Sequence, residues 1–237
     1  MSGSLLVLQH AGCEPPGVYE DVLRERGVGF ERVVVAEEPL PAWREHAAIV
    51  AMGGAMAAYE EDAHPWLAAE KRLIAAAVAA GTPYWGVCLG AQVLAAALGA
   101  EVRPGPEPEL GVMDVELTAA ARHDPVFKDA PRRFSTLQWH GDTYALPEGA
   151  VRLARSARYE QQAFALGTAY AVQFHLEVDG ALAAEWMEVP EYVAELEQLD
   201  GPQAPARMLA EVRAAEAETV PLARELFTRG LVGVAGL

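Results

Sequence analysis

Positive charge is scarce in this chain. Its 237 residues carry 18 Lys plus Arg against 34 Asp plus Glu, a formal net charge of −16. A nucleic-acid surface needs clustered basic side chains, and the pairs Lys71-Arg72 and Arg132-Arg133 are too small to form one. The same acidity disfavours anionic membranes. Long apolar runs are missing too, and nothing approaches the length of a membrane span. The first apolar run, Leu5 to Leu8, follows no basic segment, so no secretory signal is expected. Cysteine is nearly absent, with Cys13 and Cys88 the two present. A chain of this length builds its core without a disulfide staple, and no Cys13–Cys88 bridge is expected. With 52% hydrophobic and 22% charged residues, the composition is that of a globular protein, expected in the cytoplasm.

What is present is an alternation of short apolar runs and longer helical ones. Leu5 to Leu8, residues 30–35 and residues 47–52 read as strands; Val33-Val34-Val35 favours extended backbone. Residues 19–26 and 65–80 read as helices ended by Gly27 and Gly81. Pro83-Tyr84-Trp85 is a further strand. This order predicts a three-layer α/β sandwich around a central, mainly parallel sheet. After Gly99 the pattern changes. Residues 112–117, 133–137, 151–155, 162–166 and 169–173 are strand candidates expected to include antiparallel pairs at the sheet's far side. From Ala181 the chain turns helical, with breaks expected near Pro190, Gly201-Pro202 and Pro221. Residues 1–190 are read as a catalytic domain, and residues 191–237 as a helical extension packed on it. Trp66, Trp85 and Trp186 are expected as packing residues.

The chemistry is carried by Gly86-Val87-Cys88-Leu89-Gly90, which follows a strand and opens a helix. That is the pattern of a nucleophile on a sharp strand-to-helix turn. The flanking glycines relieve crowding, and nearby backbone N–H groups at the helix start favour the thiolate. A cysteine nucleophile needs a base and a group to orient that base. Gln173-Phe174-His175-Leu176-Glu177 supplies both: on extended backbone His175 and Glu177 point to one side. A tetrahedral intermediate also needs N–H donors. The Leu89 N–H follows the nucleophile. Met52-Gly53-Gly54, ending the third strand, offers the second donor at Gly54, with Gly53 shaping the turn. Cys13 lies in the loop His10 to Gly17, at the sheet edge that would line a pocket. No further ligands cluster with Cys88 and His175, so neither a metal nor a cofactor is expected.

These three motifs, in this order, resemble those of class I glutamine amidotransferases, and the likeness runs from about Leu5 to Val178. It is strongest to stand-alone members similar to the amidotransferase domain of GMP synthase. The resemblance implies the flavodoxin-like fold of that family. It implies Cys88 as nucleophile, His175 as base and Glu177 as its orienter. Gln92 would hold the amino-acid end of glutamine, and Gly141 and Asp142, in Trp139-His140-Gly141-Asp142, would form a substrate-side loop. Leu176 stands where the family usually has proline. The implied activity is hydrolysis of glutamine through a glutamyl thioester, with ammonia passing to a separate synthetase partner. The alternatives are a stand-alone γ-glutamyl amide or peptide hydrolase and, third, a binding protein on the same scaffold. The C-terminal helices leave self-association open.

Overall fold

The computed structural model describes residues 3–236. In chain order its elements are β1 (Leu5–Gln9), α1 (Val18–Glu25), β2 (Phe30–Val34), β3 (Ala48–Ala51), α2 (Trp66–Ala79), β4 (Tyr84–Val87) and α3 (Leu89–Ala97). There follow β5 (Val102–Leu117), β6 (Arg133–Tyr144), β7 (Val151–Arg155), β8 (Ala163–Leu166) and β9 (Ala169–Val172). Then come α4 (Gly180–Trp186), α5 (Pro190–Asp200) and α6 (Ala204–Phe227), the last continuing into a π-helical turn at Thr228–Gly233. The strands form one mixed sheet ordered β2-β1-β3-β4-β9-β8-β7-β5-β6. From β2 to β9 neighbouring strands are parallel; from β9 to β6 they are antiparallel.

The apolar runs dictate this arrangement. β1, β3, β4 and β9 are buried along their whole length, as strands covered on both faces must be. Successive side chains of β1 go to opposite faces. Leu5 and Val7 join α1 and the end of α6, while Leu6 and Leu8 join α2 and α3. The result is a helix–sheet–helix sandwich of the flavodoxin-like type. Parallel strands leave their carboxyl ends along one edge, where the loops carrying the chemistry meet.

Three elements differ from the sequence expectation. β5 begins at Val102 rather than near 112, because its prolines mask it. Its register against β6 shifts between Pro104 and Glu109, and there the prolines owe no ladder hydrogen bond. β6 continues to Tyr144, so Trp139 to Asp142 is strand and not loop. Helix α6 runs unbroken through Pro221. An interior proline costs about 3 kcal/mol, but the turns around it bury Leu222, Ala223, Leu226 and Phe227 in the core. Phe227 stacks on Tyr19 at 4.4 Å between ring centroids and meets Trp85 edge-on at 6.0 Å. That burial outweighs the proline.

Candidate active site

Cys88 sits between β4 and α3 with φ 49° and ψ −106°. It is the one non-glycine residue with positive φ among the described residues. Backbone strain of this kind persists only where the surroundings enforce it. Here the enforcement is close packing of α3 on the sheet. A Cβ on Gly90 would overlap the Ala51 carbonyl oxygen, and one on Gly86 would lie 2.7 Å from the Gly90 oxygen. Both flanking glycines are therefore needed for the turn. The thiol opens onto a cavity of about 270 Å³ at the carboxyl edge of the parallel strands. Its sulfur is 3.7 Å from the Trp139 carbonyl oxygen. Cys13 and Cys88 are both free; Cys13 Sγ lies 3.5 Å from the Tyr192 hydroxyl.

His175 lines the same cavity. It lies beyond the end of β9, between two bends, in a single antiparallel bridge to Leu137 of β6. Its N–H donates to the Leu137 carbonyl at 2.9 Å, and its own carbonyl accepts from Thr136 Oγ1 at 2.8 Å. The bends still bring the two side chains together: His175 Nδ1 is 2.6 Å from Glu177 Oε1, both buried. Leu176, between them, points into the core. Burial alone would lower the imidazole pKa. The charges of Glu177 and Cys88, with hydrogen bonds to both side chains, outweigh it and hold His175 well above its ordinary 6.5. The pairing thus favours the imidazolium form of His175. Trp186 stands edge-on to the imidazole at 5.4 Å.

Gly54, Gln92, Gly141 and Asp142 also line the cavity. Gln92 Nε2 donates to Gln173 Oε1 at 3.2 Å. Asp142 Oδ1 accepts from Tyr59 at 3.4 Å, and burial, reinforced by Glu60, raises its carboxyl above the usual value against the Tyr59 bond. His140 is tied back to Glu109 at 3.2 Å. Gly53 lies behind the wall, where a Cβ would lie 3.1 Å from His175 Cε1. Leu89 is buried at the first position of α3.

Sequence reasoning passed over the rest of the wall. Glu14, adjacent to Cys13, is buried in the cavity and accepts a hydrogen bond from the Tyr192 hydroxyl. Burial raises its carboxyl pKa; the nearby His175 and the Tyr192 bond only partly offset this. Trp186, Tyr192 and Glu195 close the far side from α4 and α5. Trp186 is thus a wall of the cavity as well as a packing residue. The carboxylates of Glu14, Glu60, Asp142 and Glu195 all line the cavity, no Lys or Arg does, and none of the four has an ion-pair partner among the described residues. The only local signal for this wall was the loop's place at the sheet edge.

A strained thiol at a strand–helix turn, a buried histidine–carboxylate pair and a parallel-sheet edge are features of an α/β cysteine hydrolase or acyl transferase. Residues 19–187 match the family described as Glutamine amidotransferase class-I, and the chain belongs to that family. A solved glutamine amidotransferase from Thermotoga maritima is 33% identical with a TM-score of 0.86, over 97% of this chain and 98% of its own. The glutamine amidotransferase-like protein YfeJ of Salmonella typhimurium is 32% identical over 174 residues, 71% of this chain and 73% of that protein. Two relatives match in part. The glutamine-hydrolysing GMP synthase of Thermomicrobium roseum is 37% identical over 131 residues, 55% of this chain but 23% of the synthase. A γ-glutamyl-L-1-hydroxyisopropylamide hydrolase from a Pseudomonas species is 33% identical over 113 residues, 44% of this chain and 38% of its own. Among the described residues no helix is long and apolar enough to cross a membrane.

Proposed function

We propose that the chain hydrolyses the side-chain amide of L-glutamine through Cys88, His175 and Glu177. The observation that carries this reading is that His175, paired with the buried Glu177 at 2.6 Å, lines one cavity with the strained Cys88 thiol. The thiolate attacks the carboxamide carbon, and the oxyanion is received by the N–H groups of Leu89 and Gly54, with Gly53 shaping the turn. The carbon–nitrogen bond breaks, and ammonia leaves with the proton held on His175. Water then attacks the glutamyl thioester while His175 takes its proton, the carbon–sulfur bond breaks, and glutamate departs, leaving the thiolate beside the protonated His175. Glu177 keeps the imidazole oriented throughout. Gln92, Gly141 and Asp142 bind the amino-acid end of the substrate. The likeness to glutamine-hydrolysing GMP synthase supports delivery of ammonia to a synthetase site on a partner. Residues 1–190 act as the catalytic domain, and the extension from 191 contributes Tyr192 and Glu195 to the wall.

A second reading is favoured by the cavity's charge. Four acidic residues facing no Lys or Arg, with His175 the main basic group beside Glu14, exceed what one α-ammonium group uses, and the surplus suits a γ-glutamyl amide whose leaving amine carries its own positive charge. The likeness to an amide hydrolase supports it. Purified protein given glutamine and a panel of γ-glutamyl amides, neutral and cationic, separates the two. Glutamine as the best substrate upholds the first reading; preference for a substituted amide upholds the second. In either case Cys88→Ser lowers kcat/KM by at least about 10³-fold. Turnover unchanged in that variant removes the assigned nucleophile. No turnover of any γ-glutamyl compound leaves the binding-protein reading.

A further inference from the structure

Beneath the Gly53-Gly54 turn lies an ion pair that the reaction above does not use. His10, just past β1, and Glu70, in the middle of α2, have side chains with no solvent exposure. His10 Nε2 is 2.8 Å from Glu70 Oε1. His10 Nδ1 is 2.9 Å from the Met52 carbonyl oxygen and 3.1 Å from the Gly53 carbonyl oxygen. The two carbonyls are acceptors and call for a hydrogen on Nδ1; with the Glu70 carboxylate as the third acceptor, both ring nitrogens carry one and the ring is an imidazolium. Trp66, also on α2, stacks on it at 5.6 Å and 20°. Burial would lower this histidine's pKa, but Glu70 and the two carbonyls reverse the shift and raise it.

A charge pair sealed in an alanine-rich interior is a poor way to stabilise a fold, since apolar residues of like volume do as well or better. Its geometry indicates another use. In a planar trans peptide the C=O and N–H point opposite ways. Drawing the Gly53 carbonyl back onto His10 turns the N–H of the same peptide, that of Gly54, away from His10. Gly54 lines the cavity, whereas His10 does not. The neighbouring Met52 carbonyl is pinned twice, by His10 and by the Gly90 N–H at 3.0 Å. The turn therefore has one peptide orientation, tied at once to β1, α2 and the start of α3.

We propose that His10, held charged by Glu70, is a positioning residue that fixes the Gly53–Gly54 peptide with its N–H presented to the oxyanion. This rests on the proposed thioester chemistry at Cys88, but it is a separate claim. The hole is set by the fold and not by substrate or partner.

The test separates carbonyl chemistry from thiol reactivity. Alkylation of Cys88 by iodoacetamide displaces iodide at a saturated carbon and forms no oxyanion; attack on a γ-glutamyl amide forms one. The double variant H10F/E70L removes charge and donor together while filling the space. It is expected to keep its cooperative melt and to alkylate at a rate within about twofold of the parent. Its kcat should fall at least about tenfold with KM little changed, toward the cost of losing one oxyanion donor. The pair H10N/E70Q, whose Asn amide sits near the Nδ1 position, should recover most of the loss. H10Q/E70Q, whose Gln amide reaches toward Nε2 instead, should not. Turnover of H10F/E70L equal to the parent, or alkylation falling in step with turnover, overturns the proposal. Should H10F/E70L fail to fold, the Asn and Gln variants decide: equal turnover in those two overturns it. The parent and Cys88→Ser, run alongside, report on the nucleophile independently, so failure of the thioester reading is distinguishable from failure of this one.

Discussion

At the scale of single residues, part of the site's charge is withdrawn from water: Glu14, His175 and Glu177 are buried. Glu14 gives this a measurable consequence. Its folded pKa lies above the ordinary 4.5, chiefly through burial, among His175, Tyr192, Glu177 and His10. Between the unfolded and folded values the native state holds a proton that the unfolded chain has released, so this group makes stability fall as pH rises across that interval. Glu14→Gln removes the effect. Its melting temperature relative to the parent should therefore climb from about pH 4 to about pH 8, read by calorimetry. A difference independent of pH would show that Glu14 titrates alike in both states. Glu14 was illegible in the sequence because nothing in a proline-bounded loop states what a carboxylate will be buried against. Cys88, His175 and Glu177 were legible as candidates because their chemistry imposes a local signature. A strained turn needs Gly86 and Gly90 beside it, and a base needs its carboxylate close by.

At the scale of elements, apolar periodicity revealed the parallel half of the sheet, where strands are buried on both faces. It failed where another force set the outcome. The prolines of β5 sit in a register shift and so escape the rule that excludes them from ladders. Trp139 to Asp142 looks like a polar turn, yet pairing with β5 makes it strand. Helix α6 spans Pro221 because four of its residues complete the core. This last point is testable. Phe227→Ala empties the ring's place between Tyr19 and Trp85 and should cost about 3–5 kcal/mol in denaturant unfolding. A loss under about 0.5 kcal/mol, the range of surface substitutions, would mean the helix only covers the surface.

At the scale of the whole molecule, the nine strands and six α-helices of the described residues bring five separated segments to one edge. The loop after β1, the turn after β3, Cys88 after β4, the middle of β6 and the bend after β9 meet there. Helices α4 and α5 close the cavity from residues no motif announces. That is why a reading of motifs reached Cys88, His175 and Glu177 as candidates but missed Trp186, Tyr192 and Glu195 as walls. Convergence on one carbonyl carbon is the central claim, and acid-quench mass spectrometry during turnover of glutamine or a γ-glutamyl amide tests it most directly. A γ-glutamyl adduct on the peptide containing Cys88, absent in Cys88→Ser and accumulating when His175 is replaced by Asn to slow the water step more than acylation, is the predicted result. Turnover with no adduct at any time point and undiminished in Cys88→Ser would contradict it.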